Sequence, residues 1–96
     1  MRLTAFEKDA IRKVFSEIFG DGKVYLFGSR VDDTQKGGDI DLYLSPSQKT
    51  ADLRKKKIAF LVALKKIIGY QKIDVIIAKD QSRVIEKEAL TYGVAL

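Results

Sequence analysis

The sequence predicts an α+β fold: a small mixed β-sheet with helices packed on one face, in the element order α-β-β-α-β-α. Two long stretches repeat apolar residues at helical spacing, and three short stretches are β-branched, aromatic or strictly alternating. The chain has 96 residues, with 46% hydrophobic and 32% charged. That length and balance suit a single globular domain over residues 1–96.

The elements follow in order. Residues 4–19 place Phe6, Ala10, Ile11, Val14, Phe15 and Ile18 on one helix face. Thr4 with Glu7 three residues on is a reciprocal capping pair, and Gly20-Asp21-Gly22 stops the helix. Residues 23–27 (KVYLF) read as a strand. Residues 30–38 are polar and end in two glycines, so they read as a loop with room for one helical turn. Residues 39–44 (DIDLYL) alternate, with Ile40, Leu42 and Leu44 on one face and Asp39, Asp41 and Tyr43 on the other. Strands one and two are expected to be antiparallel. Ser45-Pro46-Ser47 reads as a turn and stop. Residues 53–68 form the longest helix, with Leu53, Phe60, Leu61, Leu64, Ile67 and Ile68 as its apolar stripe and Gly69 behind it. Residues 72–78 (KIDVIIA) give a third strand. A last helix, capped by Asp80 or Ser82, runs to about Tyr92, and Gly93 follows.

Composition removes several chemistries. The sequence has no cysteine and no histidine, which excludes disulfides, thiolate nucleophiles, imidazole bases and the common zinc sites. Any catalytic set must come from carboxylates, hydroxyls, lysines, arginines and backbone amides. No apolar run is long enough to cross a membrane, and no charged-then-apolar leader opens the sequence, so the expected location is the cytoplasm. Charge is uneven: residues 1–48 carry seven basic and eight acidic side chains, residues 49–96 eleven and five. Such a basic half attracts polyanions or is simply a soluble lysine-rich surface.

The chemistry-bearing stretch is F-GSR-VDDTQKGG-DID-L, residues 27–42. Gly28 and Ser29 directly follow a strand, where glycine lets backbone approach a ligand and amides at a turn can hold phosphate oxygens. Arg30 is placed to meet phosphate or a local carboxylate. A Gly-Ser after a strand is more often only a turn. Asp39 and Asp41 share one strand face, a spacing that suits a Mg²⁺ pair or one Mg²⁺ with substrate oxygens. The plain alternative is an exposed acidic face, although aspartate is a poor strand former. Asp74 interrupts a β-branched run, where an unpaired buried acid is costly. It either pairs with a neighbour such as Lys72 or joins Asp39 and Asp41 as metal ligand or general base.

Gly28-Ser29, nine residues, Asp39-x-Asp41 and a later strand aspartate, Asp74, together resemble the nucleotidyltransferase superfamily of DNA polymerase β. Length and element order are similar to its minimal single-domain members, the minimal nucleotidyltransferases (MNT) that act as antitoxins in HEPN–MNT toxin–antitoxin pairs. The likeness extends over about residues 5–92. The departures are Val31, Asp32 and Asp33 in the loop, Gly38 before the first aspartate, and a spacer one residue short. The resemblance implies a polymerase β-like nucleotidyltransferase core. It implies that Gly28 and Ser29 hold nucleotide phosphates, with Arg30 beside them as a further candidate for binding the nucleotide. It further implies that Asp39, Asp41 and Asp74 are catalytic and bind Mg²⁺, two ions in all, with ATP as donor. The implied reaction adds AMP to a tyrosine of a HEPN ribonuclease toxin.

Two other readings stand beside it: a non-catalytic antitoxin that inhibits by occlusion, and a small RNA-binding protein using the basic second half. Lys57 lies near the apolar stripe of the long helix, where it either snorkels past the core or points to the triphosphate. Tyr43 shares the aspartate face and is expected to border the nucleotide.

Overall fold

The computed structural model describes residues 3–31, 39–48 and 51–96, without the side chains of Ser29 and Arg30. Among these residues there are three α-helices, α1 (Ala5–Phe19), α2 (Leu53–Ile68) and α3 (Val84–Tyr92). The strands are β1 (Gly22–Phe27), β2 (Ile40–Pro46), β3 (Ile73–Ile77) and β4 (Val94–Ala95), in the sheet order β3-β2-β1-β4. β1 runs antiparallel to β2 and to β4, and β2 runs parallel to β3 with α2 as the crossover. The fold is α+β, with the mixed sheet that the alternation predicts. No helix among the described residues is long and apolar enough to cross a membrane.

α1 begins where the capping pair places it. The Thr4 hydroxyl accepts from the Glu7 amide, and the Glu7 carboxylate accepts from the Thr4 amide, both at 3.0 Å. Ala10, Ile11, Val14 and Phe15 are buried, but Phe6 of the expected stripe is 62% exposed. α2 spans the residues its periodicity predicts and buries Phe60 and Leu64. Ile67, expected in its stripe, faces largely outward. The two helices meet through stacked Phe15 and Phe19, with Phe19 lying against Phe60 at 6.2 Å. Together they cover the sheet face made by Val24, Leu26, Ile40, Leu42, Leu44, Ile73 and Val75.

Four features differ from the sequence expectation. First, α3 lies on the opposite face of the sheet, where Ile85 and Ala89 pack with Tyr25, Phe27, Tyr43 and Ile76. That second apolar face is formed by residues alternate to the first set, so only two of the three helices share a face. Second, β4 was not anticipated: two residues after Gly93 are too few to show a period, yet they pair with Tyr25 and Leu26. Third, β2 continues through Pro46, opposite Gly22. By that point β3 has ended, since Leu44 pairs with Ile77, so the absent proline N–H leaves no gap in the β2–β3 ladder. Fourth, Arg83 stands at the N-cap of α3. Asp80 instead accepts from the amide and hydroxyl of Ser82, at 2.9 and 2.7 Å, closing the turn before the helix. The expected loop over residues 30–38 lies outside the described residues except for Arg30 backbone and Val31, which finish a 3-10 turn, Gly28–Val31.

Candidate active site

β1 ends at Phe27, directly opposite Asp41 of β2. Gly28 comes next, with φ of 78°, in the left-handed region. A Cβ on Gly28 would collide with Oδ2 of Asp41. Glycine therefore meets two demands there: it turns the chain out of β1, and it leaves room for the Asp41 carboxylate.

Asp41 is also paired in register with Asp74 of β3. Neighbouring strands lie about 4.8 Å apart, so the two carboxylates stand side by side on one face of the sheet. The Asp41 carboxyl is held above the usual aspartate value. Partial burial is the main cause, followed by the negative charges of Asp74 and Asp39 and a hydrogen bond with the Asp74 carboxylate, while Lys72 opposes them. Like charges directly opposite are unfavourable in a sheet, and hard oxygen donors in that arrangement can be neutralised by a divalent cation.

Asp39 lies just ahead of β2. Its Oδ2 is 3.3 Å from the Lys72 ammonium, in a largely exposed ion pair. Lys72 precedes β3, and its carbonyl accepts from the Ile40 amide at 3.1 Å, which brings the two side chains alongside. The hydrogen bond to Asp39 first, then the charges of Asp39, Asp74 and Asp41, raise the Lys72 pKa. Lys72 thus pairs with Asp39, where the sequence offered it as a partner for Asp74. Among the described residues no three acidic side chains stand together at metal-binding distance. The Asp41–Asp74 pair does fit Mg²⁺, which takes one or two carboxylates and completes its shell with phosphate oxygens and waters.

The structure thus brings Gly28, Asp41 and Asp74 together, with Asp39 at the rim. The Ser29 hydroxyl and the Arg30 guanidinium lie outside the described residues. A cleft of about 280 Å³ opens beside Gly28, between Phe27, Glu88 and the exposed ring of Tyr92.

Tyr43 shares the aspartate face, as alternation predicts, but it is fully buried under α3 and does not border the site. Its hydroxyl donates to Oε1 of Glu86 at 2.8 Å. Glu86, also fully buried, accepts from the Lys79 amide at 3.2 Å and the Asp80 amide at 2.9 Å, and meets Arg83 at 3.3 Å. Burial pushes the Glu86 carboxyl up, yet these donors and the Arg83 charge outweigh it and hold the pKa below the usual value. The Tyr43 hydroxyl is pushed up to about 12, by burial first and then by the hydrogen bond and charge of Glu86. The sequence reading missed Glu86. Its signal is position: three residues before Ala89 and beside Ile85, it falls on the buried stripe of α3. Lys57 is exposed on α2 and borders a cleft along Val75–Ile77.

The family model described as Polymerase beta, Nucleotidyltransferase matches residues 9–96. No curated protein sequence matches the chain.

Proposed function

Because the chain belongs to the polymerase β nucleotidyltransferase family and its activity is therefore of the nucleotidyltransferase type, we propose that it transfers AMP from ATP, with Mg²⁺, to a hydroxyl of a partner protein. The proposed acceptor is a tyrosine of a HEPN ribonuclease toxin, and the proposed role is a cytoplasmic antitoxin. The likeness of its length and element order to the MNT antitoxins supports the partner. The observation that carries the chemistry is the side-by-side placement of Asp41 and Asp74 against Gly28.

Each residue has a task in this reading. Gly28 brings backbone close to the nucleotide phosphates. Asp41 and Asp74 would hold Mg²⁺, with Asp39, now paired with Lys72, as a further carboxylate beside them. Bound Mg²⁺ supplies positive charge to the triphosphate and the leaving pyrophosphate. The acceptor oxygen attacks the α-phosphorus, the bond to the bridging oxygen breaks, and pyrophosphate departs. The hydroxyl proton passes to the Asp74 carboxylate, which takes the role of base in a chain without histidine. The cleft at Phe27 and Tyr92 offers an aromatic face for the base.

The test is label transfer from ATP to protein in host lysate with Mg²⁺. Label from the α-phosphate should appear on a protein band and vanish with Asp41→Asn or Asp74→Asn. Label from the γ-phosphate would mean kinase chemistry and would overturn the mechanism. Neutralisation of a toxin by both Asn variants as well as by wild type would favour occlusion instead.

A further inference from the structure

β3 is an edge strand: β2 pairs with one side of it, and among the described residues no strand pairs with the other. The Lys72 carbonyl and the Ala78 amide bond to β2, at Ile40 and Leu44. Backbone groups alternate along a strand, so those of Asp74 and Ile76 also face β2. The amides and carbonyls of Ile73, Val75 and Ile77 then point to the open side.

A cleft of about 280 Å³ runs along this side. Three successive residues, Val75 to Ile77, line it. Side chains alternate between faces, so only the strand edge can present all three to one cleft. Its charged walls are Arg54 and Lys57 from the first turns of α2, and Lys79 and Arg83 beyond β3, with no acid among the lining residues. Arg83 is engaged by Glu86. Arg54, Lys57 and Lys79 form no ion pair among the described residues, and all three are exposed. The cleft shares Leu53, Ile77 and Lys79 with a second one of about 420 Å³ past the strand ends.

We propose that this edge is a docking surface for an extended acidic segment of a partner protein, which adds to β3 as a fifth strand. The open backbone groups of Ile73, Val75 and Ile77 supply the pairing, and the cations select the sign of the side chains. A protein segment suits the cleft better than RNA. Its wall is aliphatic, at Leu53 and Ile77, with no aromatic ring for base stacking, and the strand edge matches a peptide backbone. An added strand would also pass Asp74 at about 4.8 Å, bringing an acceptor hydroxyl beside the carboxylate pair. That last consequence rests on the transferase reading; the docking surface does not.

The experiment uses the full chain without ATP, so a silent transferase leaves it informative. The probe is a fluorescein-labelled peptide of about ten residues in which valine and threonine alternate with glutamate in one half and with serine in the other. Controls carry lysine for glutamate, or are an oligouridylate of similar length. Anisotropy should show binding of the acidic peptide alone. Arg54→Glu with Lys57→Glu, and separately Lys79→Glu, should each weaken it at least about tenfold, with circular dichroism unchanged. Amide exchange at Ile73, Val75 and Ile77 should slow on binding, while that of β4 should not. Equal binding of the lysine peptide, binding indifferent to the charge reversals, or unchanged exchange along β3 would overturn the proposal. Tighter, competing binding of the oligouridylate would make the cleft a nucleic-acid groove.

Discussion

Replacing Glu86 by alanine should be the most damaging single change on the α3 face. Four groups converge on this carboxylate: the Tyr43 hydroxyl, the Lys79 and Asp80 amides and the Arg83 guanidinium. The two amides and Arg83 belong to exposed residues, so water can replace much of what they lose. The Tyr43 hydroxyl cannot be rehydrated, because Tyr43 is fully buried. An orphaned buried donor costs about 1–3 kcal/mol, and the empty space left by the side chain adds to it. The expected total is about 2–4 kcal/mol, the orphaned donor and the cavity together. For a chain of this size that lowers Tm by roughly 8–32 °C. Tyr43→Phe should cost only about 1 kcal/mol. The double variant has no orphan, so it should be about 1–2 kcal/mol more stable than the sum of the singles. Urea unfolding followed by circular dichroism measures all four proteins. The pH dependence has a definite sign. The Glu86 pKa is lowered on folding from its ordinary 4.5, so its stabilisation is complete above that value and is lost as pH falls below it. Asp41, with its pKa raised, acts in the other direction in every variant and cancels in the comparison. Wild type should therefore lose stability on acidification faster than Glu86→Gln. Strict additivity in the cycle, or a Glu86→Ala cost under about 1 kcal/mol, would refute the reasoning.

Three further outcomes are expected. Gly28→Ala puts a Cβ where the Asp41 carboxylate sits and a side chain at positive φ; it should lose about 1–2 kcal/mol in urea melts and lose Mn²⁺ binding by calorimetry far more completely. Thr4→Ala removes one half of the α1 capping pair and should cost about 0.5–2 kcal/mol without changing Mn²⁺ affinity. Asp74→Asn relieves the like charge opposite Asp41 and should raise stability by about 0.2–1 kcal/mol while abolishing nucleotidyl transfer; thermal melts and the label assay read the two effects separately.

What the sequence made legible follows from where a single period suffices. α1 and α2 are long, so many positions vote on one face, and Thr4-Glu7 marks a start that the structure reproduces atom for atom. The DIDLYL alternation correctly separates Ile40, Leu42 and Leu44 from Asp41 and Tyr43. It does not say what covers the second face. The expectation that Tyr43 borders the nucleotide fails because nothing local marks the helix above it; only Glu86, forty-three positions on, completes the contact. The candidate site shows the same boundary. Alternation sets Asp41 and Asp74 each opposite apolar residues of its own strand, and they share a face only if the two strands are neighbours. That they are in register, and that Lys72 goes to Asp39 rather than Asp74, depends on a parallel pairing set by the α2 crossover. The two-residue β4 has no period to detect.

The aspartate face divides within the length of two residues. Tyr43 and Ile76 pack beneath α3, whereas Asp41 and Asp74, one alternation earlier on the same strands, meet solvent. The cover must stop there, since a buried pair of adjacent carboxylates would be far costlier than a half-exposed one. The Glu86 network at the edge of that cover ties α3 to the turn after β3, so the apolar part of the face holds firm beside a locally unfavourable part. β3 then carries opposite charge at its two ends: carboxylates beside residues 72–74, cations beside residues 75–79. An acidic chain laid along its open edge would be attracted at one end and repelled at the other. Only a neutral stretch of that chain could rest beside Asp74, and a neutral hydroxyl is the group a nucleotidyl acceptor must present. The polarity of a single strand would thus fix both the direction and the register of the chain that pairs with it.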